Sequence, residues 1–287
     1  MLISVIIPTY NRSNFLKKTI KTLIQQKTNV IYEIIIIDDG STDDTKSVVS
    51  GFKNHNIKYF YQENKERGAA RNLGLKKAKG QYINFFDSDD IAYPNHIQTA
   101  YEIIINKKLE IFHLGHNIIY ENYKKTNNPE GDLTKKLIYG NVMLPISTFI
   151  KRSFALEIKF NEDRKLAGTE DYLFWLQVNI KKPVIGFKKV TSALIMHKGR
   201  SMNEINPLKT EKRHKLFLSI LRKQKIYDKY YHIFKASSFL LVSLDYSLAN
   251  KRLKSIKFLI ISLLICPKFL ITKRPYAIFI KILKLQN

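Results

Sequence analysis

Residues 34–41 read Ile-Ile-Ile-Ile-Asp-Asp-Gly-Ser. Four consecutive isoleucines leave no polar side for water, so the segment predicts a strand buried on both faces. Such strands belong to parallel sheets covered by helices on each side. The flanking segments repeat the theme. Residues 3–7 predict another buried strand, and residues 14–26 a helix, with Phe15, Leu16, Ile20, Leu23 and Ile24 near helical spacing. Residues 43–49 and 69–77 predict helices, and residues 58–61 and 82–86 strands. This alternation predicts a right-handed, mostly parallel α/β sheet flanked by helices. Further on, residues 94–106 predict a helix opened by proline, residues 111–120 a strand and residues 122–132 a polar loop. Residues 143–150, 172–179 and 184–196 predict strand, helix and strand. From Pro207 the pattern is helical to the end.

The 287 residues suffice for an α/β domain over residues 1–205 and a helical extension over 206–287. The domain divides at about residue 90 into two halves. A hydrophobic content of 45% with 25% charged residues excludes a disordered chain. The one cysteine, Cys266, excludes an internal disulfide and suits a reducing compartment. The first residues enter a strand pattern without a basic leader, so no signal peptide is expected. Net charge is +25, and residues 198–287 hold 20 Lys plus Arg against 4 acids, or +16. A basic surface of that size asks for an anionic partner: nucleic acid, anionic lipid or a phosphorylated substrate. Neither GxGxxG nor GxxxxGK[ST] occurs, which argues against dinucleotide enzymes and P-loop NTPases.

Ligands of open parallel sheets bind beyond the carboxyl ends of the strands. The first predicted strand ends in Pro8, Thr9, Tyr10, Asn11 and Arg12, the second in Asp38 and Asp39, and the fourth in Asp87, Ser88, Asp89 and Asp90. Clustered carboxylates repel unless a cation sits among them, and oxygen ligands fit Mg²⁺ or Mn²⁺. The alternative is an Asp-rich turn that caps a helix. For residues 38–43 the choice lies between a nucleoside contact through Asp39 and a helix cap by Ser41 or Thr42. Gly68 and Arg71 either start an ordinary helix or admit and pair a diphosphate. Thr169 caps the helix that follows it, or Glu170 and Asp171 supply a general base poised by burial beside Phe174 and Trp175. His197 is either a surface histidine or a metal ligand, with Lys198 or Arg200 on phosphate.

Five stretches, in this order, resemble the family 2 glycosyltransferases, the inverting group with the glycosyltransferase A fold. They are residues 4–12, 36–43, 68–72, 86–90 and 169–172. The resemblance covers about residues 1–200 and implies a nucleotide-binding half over about 1–90 and an acceptor-binding half over about 91–205. It implies that Thr9 and Asp39 contact the base, usually uracil, that Asp87 binds the ribose, and that Asp89 holds the metal bridging the diphosphate. It further implies that Arg71 lies near the donor, that Asp171 deprotonates the acceptor hydroxyl, and that His197 approaches the metal or diphosphate. The partners it implies are a nucleotide-sugar donor and a glycan or lipid-linked acceptor in surface-polysaccharide synthesis.

Residues 258–266 are apolar and follow a basic run at 251–257. Nine residues rise only about 13 Å as a helix against roughly 30 Å of hydrocarbon. A tail lying on the inner face of the cell membrane, against anionic lipid, fits better than a spanning one; packing as core is the alternative. The competing function is a non-catalytic nucleotide or nucleic-acid binder. That reading leaves the acidic rim unexplained, and its aromatic residues fall in apolar runs rather than among the cations, so no nucleic-acid partner is expected.

Overall fold

The structure is a computed structural model and describes residues 2–53, 56–200 and 205–284. It contains two compact units. The first comprises Met1–Thr134, Val142–Arg164 and Glu170–Lys198, and the second Lys135–Asn141, Lys165–Thr169 and Gly199–Asn287.

The first unit opens with β1 (Ile3–Thr9), α1 (Ser13–Ile24), β2 (Tyr32–Asp38), α2 (Thr45–Ser50), β3 (Ile57–Tyr61), α3 (Glu66–Lys77) and β4 (Tyr82–Phe85). The strands lie in the order β3-β2-β1-β4, every pair parallel. Every residue of β2 is buried, as its isoleucine run requires. Helix α1 buries Leu16, Ile20 and Leu23 completely, each worth about 1.5–3 kcal/mol relative to exposure.

The chain continues through β5 (Ile91–Ala92), α4 (His96–Lys107), β6 (Ile111–Ile119), β7 (Lys124–Asn127), β8 (Gly131–Asp132) and α5 (Thr134–Tyr139). Then come β9 (Thr148–Lys151), α6 (Arg152–Ile158), α7 (Glu170–Lys181) and β10 (Ile185–Ile195). Strand β9 runs antiparallel to both β4 and β6, and β6 pairs in parallel with β10. The carboxyl ends of β1, β2, β4, β6 and β10 therefore share one rim. The sheet is parallel in its first half and mixed in its second. Two local expectations change. Residues 122–132 are not a plain loop, because β7 pairs with β6 and β8 with β10; ladder hydrogen bonds override the polar composition of an exposed edge. The strand expected over 143–150 shrinks to β9, because residues 145–147 form a 3-10 turn opened by Pro145, which has no N–H to give a ladder.

One charge sits inside the sheet. Glu33 on β2 is fully buried and accepts from Ser4 Oγ (2.7 Å), Lys79 N (2.6 Å) and Lys58 Nζ (2.6 Å). Burial alone would raise its pKa, yet the bonds from Lys58, Ser4 and Lys79 hold it below the usual value. A depressed carboxylate stabilises the fold above its unfolded pKa and loses that contribution as pH falls through the folded value. Glu33→Gln should therefore cost about 1–3 kcal/mol at pH 7. Thermal melts of both proteins down to acid pH should show the gap closing, and a gap independent of pH would contradict this assignment.

The second unit contains four longer helices: α8 (Pro207–Lys223), α9 (Tyr231–Leu248), α10 (Arg252–Ile265) and α11 (Lys273–Lys284). Asn206 caps α8 by accepting from Lys209 N at 3.0 Å, with proline at the first helical position. Pro267 follows the end of α10 and opens a 3-10 turn. Among the described residues no helix is long and apolar enough to cross a membrane.

Candidate active site

The loops after β1 and β2 hold each other. Asn11, at φ +49°, donates its N–H to Ser41 Oγ at 2.9 Å and accepts at Oδ1 from Thr42 N at 2.7 Å. Asp39 N donates to Thr9 O at 2.9 Å. Gly40 turns at φ +86°, and a Cβ there would stand 2.9 Å from Asn64 N, so only glycine fits. Asp38 is a turn-former: it accepts from Ser41 N (2.8 Å) and Tyr59 Oη (2.6 Å). Asp39 is buried and fixed through Oδ1, which accepts from Lys65 N (2.8 Å) and Gln62 Nε2 (2.6 Å). Thr9 Oγ1 is buried without a hydrogen-bond partner. Pro8 lies within β1, and Tyr10 is exposed. The cap expected from Ser41 or Thr42 is not made, since α2 follows Asp44 without a side-chain cap; Asp43 instead accepts from Thr45 N (3.1 Å) and Ser13 N (2.9 Å), which ties this loop to the start of α1.

The loop after β4 is pinned to α1, where Thr19 Oγ1 donates to Ser88 O (3.0 Å) and Asp90 O (2.7 Å). This separates its three aspartates. Asp90 is fully buried and accepts from Ile195 N at 3.0 Å, so its carboxylate ties the loop to β10. Asp89 Oδ2 takes the Arg12 guanidinium and His197 Nε2, the latter at 3.0 Å. His197 stacks on Phe15 with ring centroids 4.1 Å apart. Phe15, one of the apolar positions of the expected helix, is partly exposed and braces this imidazole. No group of three His, Cys, Asp or Glu could hold a metal among the described residues. An ion bound here would thus rely on substrate oxygens and water to complete its shell. Lys198 ends the first unit with an exposed side chain, and Arg200 is buried in the second.

Arg71 organises the third group. Its side chain is 2% exposed and binds Glu170 Oε1 at 2.9 Å and Asp87 Oδ1 at 3.2 Å. It also lies over the Phe160 ring at 5.2 Å, and Phe160 stacks on Phe174 at 4.1 Å. Burial works against this guanidinium's charge, but Asp87, Glu170 and Asp171 outweigh it and raise its pKa. Arg71 therefore holds the carboxylates of Asp87 and Glu170 in place. A Cβ on Gly68 would meet Asn161 O at 2.6 Å, so its smallness allows packing against residues 160–161. Asn72 completes the junction by bonding both backbone groups of Phe160 at 2.9 Å. Asp171 accepts from Tyr172 N at 2.7 Å. Its pKa is pushed up to about 6, first by burial, then by Glu170 and Asp87, against the pull of Arg71 and Tyr172 N. Thr169 Oγ1 is buried without a hydrogen-bond partner, so the cap expected from it is not made. Sequence reading missed the anchor role of Glu170; the signal was an acid beside the proposed base, opposite a helix carrying Arg71.

The family described as Glycosyl transferase family 2 matches residues 4–162, which hold the first four of the five stretches. The chain belongs to glycosyl transferase family 2. An uncharacterized glycosyltransferase of Rickettsia conorii is 33% identical over 194 residues, which is 66% of this family 2 chain and 32% of that protein. The chain thus spans about a third of the length of the curated relatives it first matches. The minor teichoic acid biosynthesis protein GgaA of Bacillus subtilis is 31% identical over 204 residues, covering 64% of this chain and 45% of that protein. Crystallised S. aureus TarS 1–349 in complex with UDP-GlcNAc superposes with a TM-score of 0.64 at 20% identity, over 90% of this chain and 89% of that one. The family 2 chain therefore has the glycosyltransferase A fold, a central sheet flanked by helices with a helical carboxyl-terminal region.

Proposed function

We propose that this chain is an inverting glycosyltransferase that moves a sugar from a UDP-sugar to a hydroxyl of a glycan or lipid-linked acceptor. The observation that carries the reading is the carboxylate of Asp171 beside the Arg71–Glu170–Asp87 cluster, where burial and Glu170 push its pKa up to about 6. A base of that pKa is ionised at neutral pH and still basic enough to accept a proton in the transition state. The acceptor oxygen attacks the anomeric carbon as Asp171 takes its proton and the diphosphate departs from the opposite face. One displacement inverts the configuration. Arg71 and Glu170 keep the base in position.

Thr9 and Asp39 are assigned to the nucleoside base, supported by the unpartnered Thr9 hydroxyl and the tethered Asp39 carboxylate. Pro8, Tyr10, Asn11, Arg12 and Ser88 shape the donor pocket, and half-exposed Asp87 is assigned to the ribose. Asp89 and His197 would hold Mn²⁺ or Mg²⁺, since a carboxylate and an imidazole suit Mn²⁺ with phosphate oxygens as further ligands. When bound, the ion neutralises charge gathering on the departing diphosphate. Lys198 is assigned to the same phosphates. The teichoic acid role in the name of the B. subtilis relative supports a cell-surface polymer as the product. The basic second unit supports action at an anionic membrane surface.

Thermal melts against a panel of nucleotide sugars, with and without Mn²⁺, test the donor assignment. One UDP-sugar should raise the melting temperature by a few degrees in a Mn²⁺-dependent way, because a ligand at 100 times its Kd adds about 2.7 kcal/mol. Stabilisation by an oligonucleotide, with no response to any nucleotide sugar, would overturn it.

A further inference from the structure

We infer that the outward face of α10 is a docking surface for an anionic lipid bilayer. The helix is inverted relative to one that faces water. It buries its small polar residues: Ser255 and Ser262 are fully buried beside Leu259. Ser255 and Ser243 of α9 exchange bonds, each Oγ donating to the other's carbonyl at 2.8 Å, and Ser262 Oγ donates to Ala236 O at 2.7 Å. Four bulky apolar residues point outward, while Phe258 packs on Tyr246 and Phe239 of α9. Leu253 is 86% exposed, Ile256 38%, Ile260 51% and Leu264 76%. Steps of three, four and four residues keep these four on one helical face. A helix in water turns its apolar stripe inward. Small residues inward and large apolar residues outward is the packing found where the surroundings are themselves apolar.

The charge pattern selects the occupant. Residues 246–287 contain nine Lys plus Arg and no acid. Lys251, Lys257 and Lys268 are exposed along the helix or just past its end. Apolar side chains framed by cations fit a surface of acyl chains capped by anionic headgroups. A second copy docking through the same face would bring Lys257 against like charge. At 14 residues, α10 rises about 21 Å, too short to span, so it lies in the interface. Leu270, Ile271, Tyr276 and Phe279, further along the chain, are exposed as well.

This inference rests on the membrane-surface reading above and is independent of the chemistry assigned to Asp171. The test is sedimentation of the full chain with phosphatidylcholine vesicles, with or without phosphatidylglycerol. Wild type should bind only the anionic vesicles and release in high salt. The triple variant Leu253→Asn, Ile260→Asn, Leu264→Asn should bind about tenfold more weakly or worse, with an unchanged melting temperature. A second variant, Lys251→Glu with Lys257→Glu, should also lose binding. If wild type binds and the triple variant binds equally well, this face is not the contact, although the membrane reading stands. If wild type binds neither vesicle, both fail. A wild-type dimer in light scattering that the triple variant splits would place a second copy on the face and overturn the inference.

Discussion

Asp171→Asn is expected to lower kcat by about 10²–10⁴-fold, the range of a positioned general base, with little change in KM for the donor. The amide keeps the shape of the carboxylate but has no lone pair basic enough to take the acceptor proton. Because burial and the neighbouring Glu170 raise the Asp171 pKa to about 6, the charge is held at a cost to the fold. A carboxyl whose folded pKa lies above its unfolded value loses stability as pH rises through that interval. The asparagine variant should therefore melt no lower than wild type at neutral pH while losing transfer. The wild-type rate should fall as pH drops below about 6, where the base becomes protonated, and rise to a plateau above it. Initial rates against pH with a saturating donor measure this. A variant that retains full activity, or a wild-type profile flat from pH 5 to 8, would remove Asp171 from the reaction.

Asp89→Ala should be nearly as severe, about 10²–10³-fold in kcat/KM, comparable to the loss of one charge-stabilising group at a departing oxyanion. Its carboxylate is the point where the Arg12 guanidinium and the His197 imidazole meet. Removing it leaves two cationic or polar groups facing each other and takes away the oxygen assigned to the metal. The readout that separates a site role from a folding defect is the Mn²⁺ dependence of the nucleotide-sugar melting shift. Wild type should show the shift and the variant should not, while the two unfold alike without ligand. An Asp89→Ala protein that still responds to Mn²⁺ would show that the ion binds elsewhere.

Much of this arrangement was legible in the sequence because its signals are local. Four isoleucines can only be a strand buried on both sides, and β2 is that strand. Aspartates after buried strands mark the rim for the same reason, since the backbone must meet water there. Pairings between distant segments were not legible. Nothing near Asp90 says that its carboxylate bonds Ile195 N, more than a hundred residues on. Nothing near Arg71 distinguishes a phosphate-binding arginine from one buried between Asp87 and Glu170. Gly68 likewise gives no local sign that the carbonyl of Asn161 lies where a Cβ would stand. The strands β7 and β8 escaped because edge strands need only backbone partners, and their composition reads as loop.

The antiparallel insertion of β9 between β4 and β6 has a practical bearing on how this protein can be dissected. The recognisable family segment ends at residue 162, but β10 begins at Ile185 and pairs along nearly all of β6. A fragment trimmed to that segment would keep the nucleotide-side strands yet strip β6 of a flank, leaving open backbone that invites self-association. It would also lack Asp171 and His197. The smallest piece worth expressing is therefore set by hydrogen-bonded neighbours, not by where sequence similarity fades.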